Sequence, residues 1–274
     1  MTSFRTGPAG CARAASSVGP RRAPRRWRVL LAGAAVLAAA AAAPVGCVQP
    51  QPVRHVVLMV HGYGGSPGEL DTMARRLERA GYVTMRIALP EHGLADIRKS
   101  EAVVESAVST LPRSTQLDAI GYSLGGIVLR LWLQERGVPL QHLIMLATPN
   151  GGVRVTAGPG TFPETTCRPN NACGQLQPGS SLLRQLLPAP PHVRYTPVVL
   201  ASSSDGLVSP SSAFALPGAA HLLLQNVCPN ARLGHGDFRS DSLVLGVVLQ
   251  VLAGRPAAKI TQKECASLRQ LGKV

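Results

Sequence analysis

The run Gly121-Tyr122-Ser123-Leu124-Gly125 spaces two glycines around a serine, and it falls between an apolar strand-like stretch and an amphipathic helix. Glycines at those positions permit a tight strand-to-helix turn. Such a turn lifts the Ser123 hydroxyl above a sheet edge and points a helix N-terminus at it. A serine hydroxyl is a poor nucleophile at neutral pH. It needs a base, and the base needs an orienting carboxylate.

On a strand-turn-helix nucleophile the partners follow in the order Ser, acid, His. The histidines downstream of Ser123 are His142, His192, His221 and His235. His142 begins a strand, His192 lies in a proline-rich loop ahead of one, and His221 leads another. His235 alone, in Gly234-His235-Gly236-Asp237, sits in a glycine-flanked loop beyond the last strand. It is the predicted base. For the acid, Asp205 follows an apolar strand and so falls on the same sheet edge as Ser123. Its rival Asp237 is only two residues from His235, and reads instead as a helix N-terminal carboxylate. Acyl transfer also needs donors for a developing oxyanion. His61-Gly62-Tyr63-Gly64-Gly65 follows the first strand, which makes the Tyr63 amide one donor and the Leu124 amide the second; His61 itself reads as a structural hydrogen-bonder.

The elements that must carry these residues alternate. Strand His55 to Val60 precedes a helix with Ser66 as N-cap, Pro67 at its first position and Glu69 completing a capping box. Leu70, Met73, Ala74 and Leu77 share a face of that helix, and Gly81 stops it. Strand Tyr82 to Ala88, helix Ala95 to Leu111, strand Leu117 to Gly121, helix Leu124 to Arg136 and strand His142 to Thr148 follow. After a Pro/Gly-rich stretch come strands Tyr195 to Ala201 and His221 to Asn226, then helix Phe238 to Leu252. Short apolar strands alternating with amphipathic helices predict one α/β domain: a mostly parallel central sheet with helices on both faces. No internal repeat is visible.

The chain has 274 residues and a formal charge of +14. Seven arginines and no acid lie in residues 1–47, which leaves 21 basic and 14 acidic side chains after them. These are scattered, with no basic run interleaved with aromatics, so nucleic acid is not an expected partner. The charge reads as solvated surface, or as a weak attraction to anionic membranes.

Residues 1–47 read as a signal peptide. An Arg-rich stretch from Arg21 to Arg28 precedes the fifteen-residue apolar run Val29 to Ala43, shorter than the roughly 20 residues that span a bilayer. Arg25-Arg26-Trp27-Arg28 is similar to a twin-arginine signal. Val45-Gly46-Cys47 resembles the end of a bacterial lipobox, with Pro44 in place of the usual aliphatic residue, which makes Cys47 a lipidation candidate beside ordinary cleavage in the alanine run. An uncleaved anchor extended through Val48 is the remaining reading. Either export route leaves the protein secreted or held at the cell envelope, with membrane association through an N-terminal lipid or anchor. Residues 48–54 form a linker to a domain at 55–274. Once Cys11 and Cys47 are set aside four cysteines remain; they allow three pairings, of which proximity in sequence favours Cys167 with Cys173 and Cys228 with Cys265, and four buried free thiols are the other reading.

From His55 to Leu252 the chain resembles the bacterial triacylglycerol lipases and esterases of the α/β-hydrolase superfamily. The likeness rests on Val60-His61-Gly62-Tyr63-Gly64-Gly65, the Ser123 turn, Ala147-Thr148-Pro149-Asn150-Gly151-Gly152, and Asp205-Gly206-Leu207-Val208-Ser209-Pro210. Asn150 stands where those lipases usually have a histidine. The resemblance implies the α/β-hydrolase fold and hydrolysis of carboxylic esters, lipids among them, through an acyl-enzyme on Ser123. An acyltransferase would use the same three residues, and a silent fold serving as a surface-tethered binder would lack one of them.

The excursion at 151–194 carries a helix Ser181 to Leu187. Its Leu182, Leu183 and Leu186 read as substrate-binding residues of a lid or acyl-chain wall, or else as part of a surface loop pinned by Cys167 and Cys173. No cluster has metal-ligand spacing, so no metal or other cofactor is implied, and a monomer is expected.

Overall fold

The computed structural model describes residues 55–154, 167–186, 193–194 and 196–274. The signal segment with Cys47, and Leu187, His192 and Tyr195, lie outside them. In chain order the described elements are β1 (His55–Val60), α1 (Asp71–Arg79), β2 (Val83–Ile87), α2 (Ile97–Ser109), β3 (Gln116–Tyr122), α3 (Leu124–Arg136), β4 (Leu143–Leu146), α4 (Ala172–Gln175) and α5 (Ser181–Gln185). They continue with β5 (Val198–Ala201), α6 (Pro210–Ala213), β6 (Ala220–Leu223), α7 (Leu224–Val227), α8 (Ser242–Leu252) and α9 (Cys265–Leu271).

The strands form one sheet in the order β2-β1-β3-β4-β5-β6, every pair parallel. Parallel strands are buried on both faces and therefore read as continuous apolar runs. β1 shows this directly, since Val56 through Val60 are all buried. Its side chains alternate between two layers. Val57 and Met59 pack with Met73 and Leu77 of α1 and Val244 and Val248 of α8. Val56, Leu58 and Val60 pack with Val104 of α2 and Ile127 and Leu131 of α3. Each such aliphatic side chain contributes about 1.5–3 kcal/mol by leaving water. α3 is buried along its length from Leu124 to Leu133 and ends on Gly137 in the left-handed conformation at φ 62°.

Three local expectations change. The Ser66–Glu69 capping box does not form: Pro67–Leu70 is a 3₁₀ turn with no side-chain cap bond, and Glu69 pairs instead with Arg239, 2.8 Å away. The strand expected through Asn226 ends at Leu223 and turns into α7, because an unbroken leucine run has no periodicity to separate strand from helix. The last long helix starts at Ser242, with the Asp241 side chain accepting from the Leu243 amide as N-cap, while residues His235–Arg239 form a separate 3₁₀ turn. Both expected disulfides are formed, Cys167 with Cys173 and Cys228 with Cys265. The second joins the end of α7 to α9, a helix that packs on α8.

Candidate active site

The chain leaves β1 for β2 on one side and returns to place β3 on the other. In open parallel sheets the crevice beyond the strand C-termini at such a reversal is where ligands sit. The turn after β1 and the turn after β3 flank it.

β3 ends at Tyr122, and Ser123 follows with φ 52° and ψ −120°, a conformation that costs a residue with a Cβ energy. Its amide donates to the Leu146 carbonyl at 2.8 Å, so the strained residue is still held by the sheet. The flanking glycines answer a close approach: a Cβ on Gly121 would run into the Gly126 backbone, and one on Gly125 into the Val60 carbonyl. These contacts press α3 onto β1 and β3, which fixes where the serine points.

Asp205 lies beyond β5, its side chain almost wholly buried. Oδ1 accepts from the amides of Leu207 and Val208 at 2.8 and 2.9 Å. Oδ2 accepts from His235 Nδ1 at 2.9 Å, and His235 Nε2 lies 3.0 Å from Ser123 Oγ. A carboxylate can only accept, so Nδ1 carries the proton and the Nε2 lone pair faces the serine hydroxyl. The fold therefore brings Ser123, His235 and Asp205 into one hydrogen-bonded line. Asp237 is elsewhere engaged, accepting from the Gly234 amide at 2.7 Å. His142 bonds to the buried Asp118, and His221 stacks on Phe214.

The turn after β1 lies against Ser123: a Cβ at Gly62 would come within 3.3 Å of Ser123 Cβ. His61 is buried, donating through Nδ1 to the Gly62 carbonyl at 2.8 Å and accepting at Nε2 from the Leu89 amide at 3.1 Å. Burial lowers its pKa below 6.5, with the Gly62 bond opposing; a charged imidazole would turn an N–H toward the Leu89 N–H. His92 Nδ1 donates to the Gly65 carbonyl at 3.1 Å from a left-handed turn in which Glu91 and His92 adopt φ 49° and 58°. Tyr63 is half-buried in the turn after β1. The Leu124 amide opens α3, among the first-turn N–H groups that have no intrahelical acceptor.

Leu182, Leu183 and Leu186 are 3%, 4% and 1% exposed and join the apolar layer of α2 and α3. The Leu186 carbonyl accepts from Arg130, a buried guanidinium whose other amine donates to Asn150 Oδ1 at 2.8 Å. Burial lowers the Arg130 pKa to about 10. Asn150 Nδ2 in turn donates to the Ala213 carbonyl at 2.6 Å, so this asparagine ties α3 to α6.

Sequence reasoning missed Gln225, which lies inside the misjudged strand. Its amide nitrogen donates to Ser202 Oγ at 3.0 Å and the Ala231 carbonyl at 2.9 Å, and its oxygen accepts from the Ser203 amide at 3.1 Å. It thus couples the turn that carries Asp205 to the loop that leads to His235. A polar residue just past an apolar run was the only signal in the sequence.

No protein-family model and no curated protein matches the chain. Solved structures do. Lipase B of Aspergillus fumigatus is 14% identical with a TM-score of 0.60, over 80% of this chain and 61% of its own, so the chain spans about three fifths of that lipase. The mature form of a Bacillus licheniformis lipase is 19% identical with a TM-score of 0.60, over 75% of this chain and 94% of its own. An esterase of Exiguobacterium antarcticum is 14% identical with a TM-score of 0.53, over 73% and 92% respectively. A parallel sheet that reverses at β1 and β3, with the serine turn at that reversal, and these neighbours together identify the fold of the chain as that of the α/β-hydrolases.

Proposed function

We propose that the protein is an exported serine hydrolase that cleaves carboxylic esters, a lipase or esterase, through an acyl-enzyme on Ser123. The observation that carries this reading is the line from Asp205 Oδ2 through the His235 ring to Ser123 Oγ, with both contacts at hydrogen-bond length. Ser123 Oγ attacks the ester carbonyl carbon while its proton passes to His235 Nε2. The carbonyl oxygen becomes an oxyanion that accepts from the Tyr63 and Leu124 amides. As that intermediate collapses, the alcohol leaves with the proton from His235. Water then attacks the acyl carbon, its proton goes to His235, and Ser123 Oγ departs with that proton as the carboxylic acid is released. Asp205 keeps its negative charge throughout, orienting the ring and stabilising the imidazolium. Oxyanion donors of this kind each contribute about 10²–10³ in rate. The two disulfides support export, since such bonds persist in oxidising compartments.

The test is hydrolysis of p-nitrophenyl butyrate and p-nitrophenyl palmitate side by side, with Ser123→Ala as the blank. Turnover should fall by about 10⁴-fold or more in the variant. The ratio of the two substrates distinguishes esterase from lipase. A folded wild type that hydrolyses neither overturns the proposal.

A further inference from the structure

Ser123 has a neighbour whose side chain does no chemistry in the scheme above. Tyr122, 6% exposed, is the last residue of β3. Its hydroxyl donates to the backbone carbonyl of His235 at 3.2 Å, and its ring lies 5.2 Å from the His235 ring, tilted by 39°. The guanidinium of Arg239 stands 5.6 Å from the same ring. Arg239 is fixed in turn by Glu69 at 2.8 Å and by its own Nε bond to the Gly236 carbonyl at 3.0 Å. Glu69 belongs to the 3₁₀ turn that follows the Tyr63 loop, and a Cβ on Gly65 would meet its carboxylate. One chain of contacts therefore runs from the β1 turn through Glu69 and Arg239 to the ring of Tyr122, and from there to the segment that carries the base.

We infer that Tyr122 is a positioning residue for His235: its hydroxyl and ring, braced by the Arg239–Glu69 pair, hold the imidazole on the line between Asp205 and Ser123. His235 needs such support, because it sits on a short 3₁₀ turn rather than in the sheet. The arrangement makes nucleophile and brace consecutive residues of one strand. A displacement of β3 that moves Ser123 moves the clamp on the base with it, so the Ser123–His235 separation is kept. The phenol is able to donate across the working pH range, since burial raises its pKa well above 10.0, with Arg239 opposing.

This inference rests on the proposed hydrolase reading, and its test separates the two. Tyr122→Phe removes the hydroxyl and keeps the ring; Tyr122→Leu removes both. Each is assayed for ester hydrolysis with kcat normalised to active sites titrated by a fluorophosphonate. Tyr122→Phe should lower kcat per titrated site by about 5- to 10-fold with KM unchanged. Tyr122→Leu should lower it by about 100-fold, the cost of a base displaced by about 1 Å. A purely structural role would reduce the number of titrated sites and leave kcat per site at the wild-type value, which overturns the inference. Should Tyr122→Leu fail to fold, Tyr122→Phe decides alone. Wild type that does not hydrolyse esters defeats the hydrolase reading itself, whereas active wild type with an unchanged Tyr122→Phe defeats only the positioning role.

Discussion

Two carboxylates lie close to His235 in sequence or in space, and their surroundings give them different work. Asp205 divides its oxygens between two backbone amides and the imidazole, so it is held rigidly while facing the His235 ring. Asp237 spends its carboxylate on the Gly234 amide. Asp205→Ala should therefore cost about 10²- to 10⁴-fold in kcat, the range set by loss of an orienting acid. Asp237→Ala removes a turn-stabilising bond worth about 1 kcal/mol and should leave kcat within a few-fold of wild type. Steady-state kinetics on the two variants checks both, and a larger loss from Asp237→Ala would reverse the assignment of the acid.

At the scale of elements, much of the positioning could be read from order alone. Gly121, Ser123 and Gly125 announce a strand-to-helix turn, and the glycine-flanked histidine after the last strand, His235, does lie against Ser123. What stayed hidden were side chains that meet only in three dimensions. Glu69 looked like half of a capping box because Ser66 stands three residues before it, yet a cation 170 residues further along takes its carboxylate. Gln225 was hidden because the leucines ahead of it suit a strand and a helix equally well. α9 was not foreseen either, although the bond from Cys228 to Cys265 fastens it to the stretch leading to His235. With a sequence separation of 37, that crosslink should contribute up to about 4 kcal/mol by restricting the unfolded chain. The double variant Cys228→Ala/Cys265→Ala should unfold at a correspondingly lower urea concentration. An unchanged midpoint would show that packing of α9 on α8 alone secures the C-terminal end.

For the molecule as a whole, His61 links stability to pH. It is folded into place neutral, with a pKa below the 6.5 of an unfolded chain. The unfolded state therefore binds more protons than the native state as pH drops through 6.5 toward the folded value. The contribution of His61 to stability is complete above that range and declines as pH falls through it. Urea midpoints at about pH 7.5 and about pH 5 should show a smaller acid loss for His61→Gln than for wild type; equal losses would mean that other groups govern the acid side.

The backbone at Ser123 carries a last consequence. Its φ of 52° and ψ of −120° suit glycine better than any residue with a side chain. Replacement by glycine would relax the turn and remove the proposed nucleophile in the same step. Durability and chemistry thus pull one residue in opposite directions. The Leu146 carbonyl and the close packing of Gly121 and Gly125 are what keep the tense residue in place, and screening variants for survival alone would favour glycine over the serine.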